Sequence, residues 1–508
     1  MSETTTTITR AGAREWIGLG ALALPTLLLS LDITVLHLGV PRLSAALAPS
    51  AAELLWIIDI YGFMIAGFLV TMGALGDRIG RRRLLLLGAA AFGVASAVAA
   101  FSTTPTTLIA ARAIMGIAGA TLMPSTLALI SSMFRDAQQR AFAIGIWATM
   151  FSAGIALGPI VGGALLEHFW WGSVFLLGIP VMLLLLIAGP LVLPEHRDRG
   201  AGRPDLPSVA LIVPAMLAVV FGIKETAAHG VALPAAAALL LGLLLATLFV
   251  RRQRRLADPL LDLGLFTVPA VRAGLIALLV GTLAIGGIYL FLTQYLQLVA
   301  GHSPLVAGLM LLPGAAALVL TSLLAPALAR RYSPVSIVAA ALTTSALGFA
   351  ILAVAAMTGT ADATLALLGF AVAYAGIGPV TALGTDLVVG SAPAERAGSA
   401  AALSETSTEI GVGLGVALLG SLGVALYRAG IPDGAASGDG EVHARAKETL
   451  AAALQAAKEL AGADADALRA AALDAFTTGF AAAAVVGALL LLLAAGITVA
   501  TMRRPRAH

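Results

Sequence analysis

Five carboxylic acids stand inside long apolar stretches of the chain: Asp32, Asp59, Asp386, Glu405 and Glu409. A charge at mid-membrane costs about 2.5–3.5 kcal/mol, so such acids must face a wet interior, pair with a base, or keep their protons. The last option is useful chemistry. Burial favours the protonated carboxyl and a bound organic cation favours the carboxylate, so one group can hold either a proton or a cation, which is the basis of exchange. Glu405 and Glu409 are the sharpest signal. Their i,i+4 spacing puts both on one helical face about 6 Å apart, and two neighbouring acids in low dielectric resist double ionisation. For Glu405 the rival reading is a hydrogen bond to Thr406 or Ser407. Asp32 has no Lys or Arg within one helical turn, which favours a functional carboxyl. Asp59 reads either as an interfacial acid reaching water or, with Trp56, Tyr61 and Phe63 around it, as a cation site. Asp386 reads as reaching water or contacting Arg396.

Aromatic faces hold flat cations at about 0.5–2 kcal/mol each, and Trp56, Tyr61 and Trp147 are the preferred candidates. Individual members of the runs Trp147, Met150, Phe151 and Tyr289, Phe291, Tyr295 otherwise read as packing. Arg112 is a lone base inside an apolar stretch, paired with an interior acid or carbonyl, either as a structural ion pair or in a functional role. His37 reads as an interfacial histidine. The run Gly411-Val-Gly-Leu-Gly415 lacks the strand context of a nucleotide site and reads as close helix packing.

The elements that must position these groups are membrane helices. Of 508 residues 59% are apolar and 11% charged, against about 45–50% and 25% in soluble domains, which excludes a soluble enzyme. With no cysteine there are no disulfides, thiolate metal sites or cysteine nucleophiles. The net charge of +3 comes with no soluble basic domain, so nucleic acid is not an expected partner. The first apolar stretch contains Asp32 and no small-residue cleavage site, so it reads as a retained span with Met1 kept.

Apolar periodicity predicts fourteen spans, at 16–39, 54–76, 84–102, 106–130, 141–166, 171–193, 208–224, 232–250, 271–300, 304–328, 335–357, 364–390, 398–427 and 479–502. An even number puts both termini on one side, and 22 of the 30 Lys and Arg residues fall in the tails and connections of that side. The charge bias makes it cytoplasmic. Gly73-Ala-Leu-Gly-Asp-Arg-Ile-Gly80 after span 2 has a weak echo in Pro326-Ala-Leu-Ala-Arg-Arg331 after span 10. The echo aligns spans 1–6 with 9–14 and leaves 7 and 8 as an inserted pair, the six-plus-six plan of a secondary transporter. The expected divisions are a tail at 1–15, a first six-helix bundle at 16–193, the inserted pair with its linkers at 194–270, a second bundle at 271–502, and a tail at 503–508. Residues 428–478 read as an extracellular helical hairpin, mildly acidic, most simply a solvated cap.

At this point the residues resemble a known family, the fourteen-helix drug:proton antiporters of the major facilitator superfamily, especially their QacA-like quaternary-ammonium efflux group. Gly73 to Arg83 is similar to the superfamily's motif between spans 2 and 3, in which Asp77, Arg78 and their neighbours would form a charge relay. Leu108 to Ala120 is similar to the span 4 motif, which would tie Arg112 to proton coupling. Gly154 to Gly163 is similar to the antiporter motif, where Gly158 and Pro159 would allow a bend. Leu31 to Pro41 is similar to the signature of the fourteen-helix group and makes Asp32 its acid, with His37 standing where the common pattern has Asn. Trp170-Trp-Gly-Ser-Val-Phe175 also departs, lacking an arginine of the usual form. The resemblance implies that Asp59, Glu405 and Glu409 join Asp32 as cation or protonation sites.

The expected protein is an all-α polytopic membrane protein of a bacterial cytoplasmic (inner) membrane, not an enzyme, working as a monomer in the lipid bilayer. It would export lipophilic organic cations such as quaternary ammonium compounds, dyes, antiseptics and fluoroquinolones in exchange for protons. No cofactor is needed, since the proton gradient drives it. The nearest rival is a same-fold exporter of an endogenous metabolite, antibiotic or lipid; a receptor signalling through 428–478 is a further alternative. A membrane enzyme is weakest, because no metal-spaced His cluster or nucleophile–base pair lies within the spans.

Overall fold

The computed structural model describes residues 11–195, 197, 205–230, 232–256, 259–358, 363–393, 396–432, 440–460 and 462–503. The tail up to Arg10, the tail beyond Arg503 and residues 433–439 lie outside the described residues. Fourteen of the described helices are long and apolar enough to cross a membrane. Spans 1–6 are Ala13–Leu47, Ala51–Ile79, Arg81–Ala100, Pro105–Met133, Gln138–His168 and Ser173–Val192. Spans 7 and 8 are Leu206–His229 and Leu233–Gln253. Spans 9–14 are Pro269–Val299, Pro304–Ala329, Pro334–Thr358, Thr364–Gly390, Ser399–Gly430 and Ala463–Thr501. Their starts carry the usual chemistry for unpaired backbone N–H groups. Ser50 and Glu53 close a reciprocal capping box at span 2, Thr104 caps span 4, and prolines open spans 4, 9 and 10.

Span 1 packs on span 5, span 2 on span 4, and span 3 on spans 4 and 6. The second set repeats that order: span 9 on 13, span 10 on 12, and span 11 on 12 and 14. Two six-helix bundles with one packing plan result, joined by spans 7 and 8, which pack on each other, with span 7 against spans 2 and 13. The inserted pair is tied internally at 2.7 Å by Arg252 donating to Asp205. Burial works against that carboxylate, but bonds from Arg252 and Ser208 hold it below the usual carboxylate range.

Glycines set the closest helix contacts, and they do so equivalently in both bundles. A Cβ on Gly154 or Gly158 of span 5 would overlap Ser30 or Thr34 of span 1, and one on Gly411 or Gly415 of span 13 would overlap Thr282 or the Leu283 carbonyl of span 9. The Gly411–Gly415 run is therefore helix packing, as its composition suggested. Gly158 serves close approach to span 1, and the carbonyl of Pro159 lies against Gly308 of span 10. Gly158→Leu forces spans 1 and 5 apart; by the usual cost of overpacking it should remove about 1–3 kcal/mol, read as a lowered melting temperature of the detergent-purified protein.

The segment after span 13 contains helices Gly440–Ala446 and Leu450–Glu459. Its last arm is not separate: one helix runs from Ala463 to Arg503 and becomes span 14. The sequence divides the two at 478, yet residues 463–478 hold no Gly or Pro to break the turn, so the helix continues. At this hairpin end three hydrogen bonds tie the bundles together. Glu448 accepts from Ala51 N at 2.9 Å while also pairing with Arg428, Gln297 Nε2 donates to the Leu38 carbonyl at 3.1 Å, and Leu305 N donates to Glu167 at 3.5 Å. Spans 9 and 13 each widen into one π-turn near this end, at Tyr295–Val299 and Val416–Gly420.

The opposite end carries the arginines. Asp77 pairs with Arg81 at 2.7 Å, and Arg82 bonds the Leu193 carbonyl at 2.9 Å and the Glu195 carboxylate. Between them Gly80 sits at φ +114°, where a Cβ would also strike Glu195. Arg78 is exposed.

Candidate substrate and proton site

Between the two bundles lies a cavity walled by spans 1, 5, 9, 10, 12 and 13. Leu278, Ile285, Leu318, Ile377 and Val412 make it largely apolar, and Phe151, Tyr289 and Tyr374 add rings. Among the described residues that line it, the carboxylates are Glu405 and Glu409, and no Lys or Arg takes part. Glu409 is 5% exposed and Glu405 half-buried. The span 2 residue facing Glu409 is Gly62, where a Cβ would come to 3.6 Å from Glu409 Oε2. The i,i+4 spacing thus delivers two acids to one face of this cavity, as its periodicity required. The bond from Glu405 to Thr406 that would have made it structural is not formed; Thr406 Oγ1 is buried without a partner.

The other two buried acids have bases of their own. Arg112 Nη1 of span 4 reaches Asp32 Oδ2 at 2.5 Å, Arg112 Nε donates to the Ile57 carbonyl at 3.2 Å, and the guanidinium lies 4.5 Å from the Tyr61 ring centroid. Asp32 lacks a base on its own helix, and the base comes from across the bundle. Asp59 is held by Lys224 Nζ, 2.8 Å from each carboxylate oxygen, and that ammonium sits 3.7 Å over the Trp56 ring. The acids therefore sort into two neutralised by buried cations and two that, among the described residues, have no ion-pair partner.

Several sequence expectations change place. The expected span 7 ends at Lys224, but the helix continues to His229 before Gly230 at φ +78° ends it, and Lys224 is 2% exposed. Running the helix to that stop glycine would have put the ammonium inside the membrane. His37 is not interfacial: it is 5% exposed and lines the cavity edge-on to Tyr289, with ring centroids 5.1 Å apart. Of the three preferred aromatics, Trp56 covers Lys224 and Tyr61 covers Arg112. Trp147 donates to Thr126 at 3.1 Å behind Phe151, so the rings that reach the cavity are Phe151, Tyr289 and Tyr374. Asp386 is exposed; Arg396 instead pairs with Asp262 at 2.7 Å, since the linker before span 9 brings that carboxylate nearer.

A family model, Major Facilitator Superfamily, matches residues 22–416. The chain belongs to this superfamily. It is 43% identical over 502 residues to "Multidrug efflux pump LfrA" of Mycolicibacterium smegmatis, covering 99% of each chain. It is 37% identical over 489 residues to "Methyl viologen resistance protein SmvA" of Salmonella typhimurium, covering 95% of this chain and 98% of that one. Among solved structures, an inward-facing, unoccupied bacterial homolog of the human lysosomal transporter Spinster superposes with a TM-score of 0.66 at 18% identity, covering 98% of this chain and all of that one, a likeness of fold. As a major facilitator protein the chain is a multi-pass membrane transporter and not an enzyme. Its cavity lies where such a fold needs it, at the interface of the two repeats.

Proposed function

We propose that this chain is a proton-coupled antiporter exporting lipophilic organic cations by alternating access. The observation that carries this reading is the pair Glu405 and Glu409, without buried bases beside them, in an otherwise apolar and aromatic cavity between the bundles. A neutral or anionic ligand would leave both acids without a counterpart. The relatives' names, multidrug efflux and resistance to methyl viologen, an organic dication, support the same class of substrate.

In this reading the arginine-rich end faces the cytoplasm. The ties at the hairpin end keep the cavity closed there while a cation enters from the arginine-rich side and pairs with Glu409 and Glu405. Rocking of the bundles then exposes the cavity to the other side, where protons take the carboxylates and the cation leaves. The Asp32–Arg112 pair responds to the change of charge from across span 1, and Asp59 holds the inserted pair to the first bundle. The Asp77–Arg81 and Arg82–Glu195 contacts brace the loop after span 2. A membrane potential of 100 mV supplies about 2.3 kcal/mol per charge moved and one pH unit about 1.4 kcal/mol per proton. One or two protons therefore sustain cation gradients of tens- to thousands-fold.

The test is ethidium transport in energised everted vesicles with and without a protonophore. Uptake that collapses with the protonophore is the expected result. A chain that moves no organic cation under these conditions would falsify the reading and favour a same-fold exporter of an endogenous compound.

A further inference from the structure

Two polar atoms in the cavity wall have no hydrogen-bond partner among the described residues: His37 Nδ1 of span 1 and Tyr289 Oη of span 9. Both side chains are 5% exposed, and buried polar atoms are normally paired. Their rings meet edge to face at 89° across the line where the two bundles join, with Phe370 packed against Tyr289 at 6.0 Å to fix its ring. Depth follows from the helix register. Thr282 of span 9 donates to the Thr408 carbonyl of span 13 at 3.2 Å, which sets Glu409 level with Thr282. Tyr289 lies seven residues further toward the hairpin end, about 10 Å along the axis. The cavity thus has Glu409 at one level, Glu405 about 6 Å nearer the arginine-rich end, and an unsatisfied neutral donor–acceptor pair about 10 Å beyond Glu409 toward the hairpin end.

We propose that His37 and Tyr289 form a hydrogen-bonding subsite for an uncharged polar group of the exported molecule, such as an aromatic amine, a hydroxyl or a carbonyl. This rests on the cavity being the organic-cation site. A phenolic hydroxyl offers both a donor and an acceptor, and Nδ1 of an imidazole donates in one tautomer and accepts in the other, so the pair takes either kind of group. A ligand that makes these bonds restores partners to atoms already stripped of water. One that cannot leaves them unpaired, and sites built on such bonds discriminate strongly against analogues lacking the group.

The test compares ethidium, a flat cation bearing aromatic amines, with tetraphenylphosphonium, an aromatic cation with no hydrogen-bonding group, in everted vesicles. Tyr289→Phe and His37→Phe should each raise the KM for ethidium about tenfold and leave that for tetraphenylphosphonium within about twofold, while His37→Asn, which keeps a donor and an acceptor, should retain most ethidium transport. An equal fall for both cations, or no change for ethidium, overturns the subsite. If the native chain carries both cations, that failure leaves the transport reading standing. A native chain that carries neither removes the transport reading and the subsite with it.

Discussion

Lys224→Met should destabilise the protein by about 3–5 kcal/mol, the usual cost of stranding one partner of a buried ion pair. The lysine and Asp59 side chains are 1% and 0% exposed, so removing the ammonium leaves a carboxylate with neither water nor a counter-charge. It also uncovers the Trp56 ring, over which the ammonium sits at 3.7 Å. The double variant Lys224→Met with Asp59→Asn should recover most of the loss, because the neutral amide has no charge to strand. The measurement is the melting temperature of purified protein followed by tryptophan fluorescence. Equal melting temperatures for the native chain and the single variant would show that the pair does not hold spans 2 and 7 together.

Glu409→Gln should abolish proton-coupled efflux, lowering protonophore-sensitive ethidium transport by at least about hundredfold, the lower range for losing a proton-transfer group. The side chain is buried, and the facing span 2 position is Gly62, so the amide fits in the same space. Membrane insertion and the melting temperature should stay near native values. A second readout separates charge from shape. Ethidium binding to native protein in weak buffer should release protons, and the glutamine variant should release fewer. Glu405, half-buried and nearer the arginine-rich end, should give the milder loss when changed to Gln. Full transport by Glu409→Gln would move the exchange chemistry elsewhere, with Asp32 as the next carboxyl to test.

The spans were legible because each is a long apolar run, and the repeat because Gly73–Gly80 and Pro326–Arg331 follow equivalent spans. Glu405 and Glu409 were legible for a local reason: helical periodicity alone puts them on one face. What sequence spacing could not supply was the partner across the bundle. Nothing near Asp32 in the chain announces Arg112, eighty residues away, or links Asp59 to Lys224 at a separation of 165. The first pairing depends on span 4 packing against span 1, and the second on span 7 packing against span 2. His37 was placed at the interface for a similar reason, since the expected span ends at 39 while the helix runs on through Pro41 to Leu47 and carries the imidazole inward. Aromatic residues were the least legible, because Trp56, Tyr61 and Phe151 differ in which neighbour each covers and not in composition.

The π-turn at Val416–Gly420 has a consequence for how span 13 tolerates change. A π-turn holds one residue more than an α-turn, so the stretches before and after it do not share a single helical wheel. Glu409 and the cavity belong to the first frame, and Tyr427, bonded to the Ala446 carbonyl, with Arg428, bonded to Glu448, belongs to the second. Deleting one residue within 416–420 would close the π-turn into an α-turn and leave both frames aimed as they are, whereas deleting one in the α-helical stretch between Glu409 and the turn would swing the second frame by about 100°. This one turn is thus where span 13 takes up a change of length without re-aiming the acid face against the hairpin lock, and the matching turn at Tyr295–Val299 gives the neighbouring span the same tolerance.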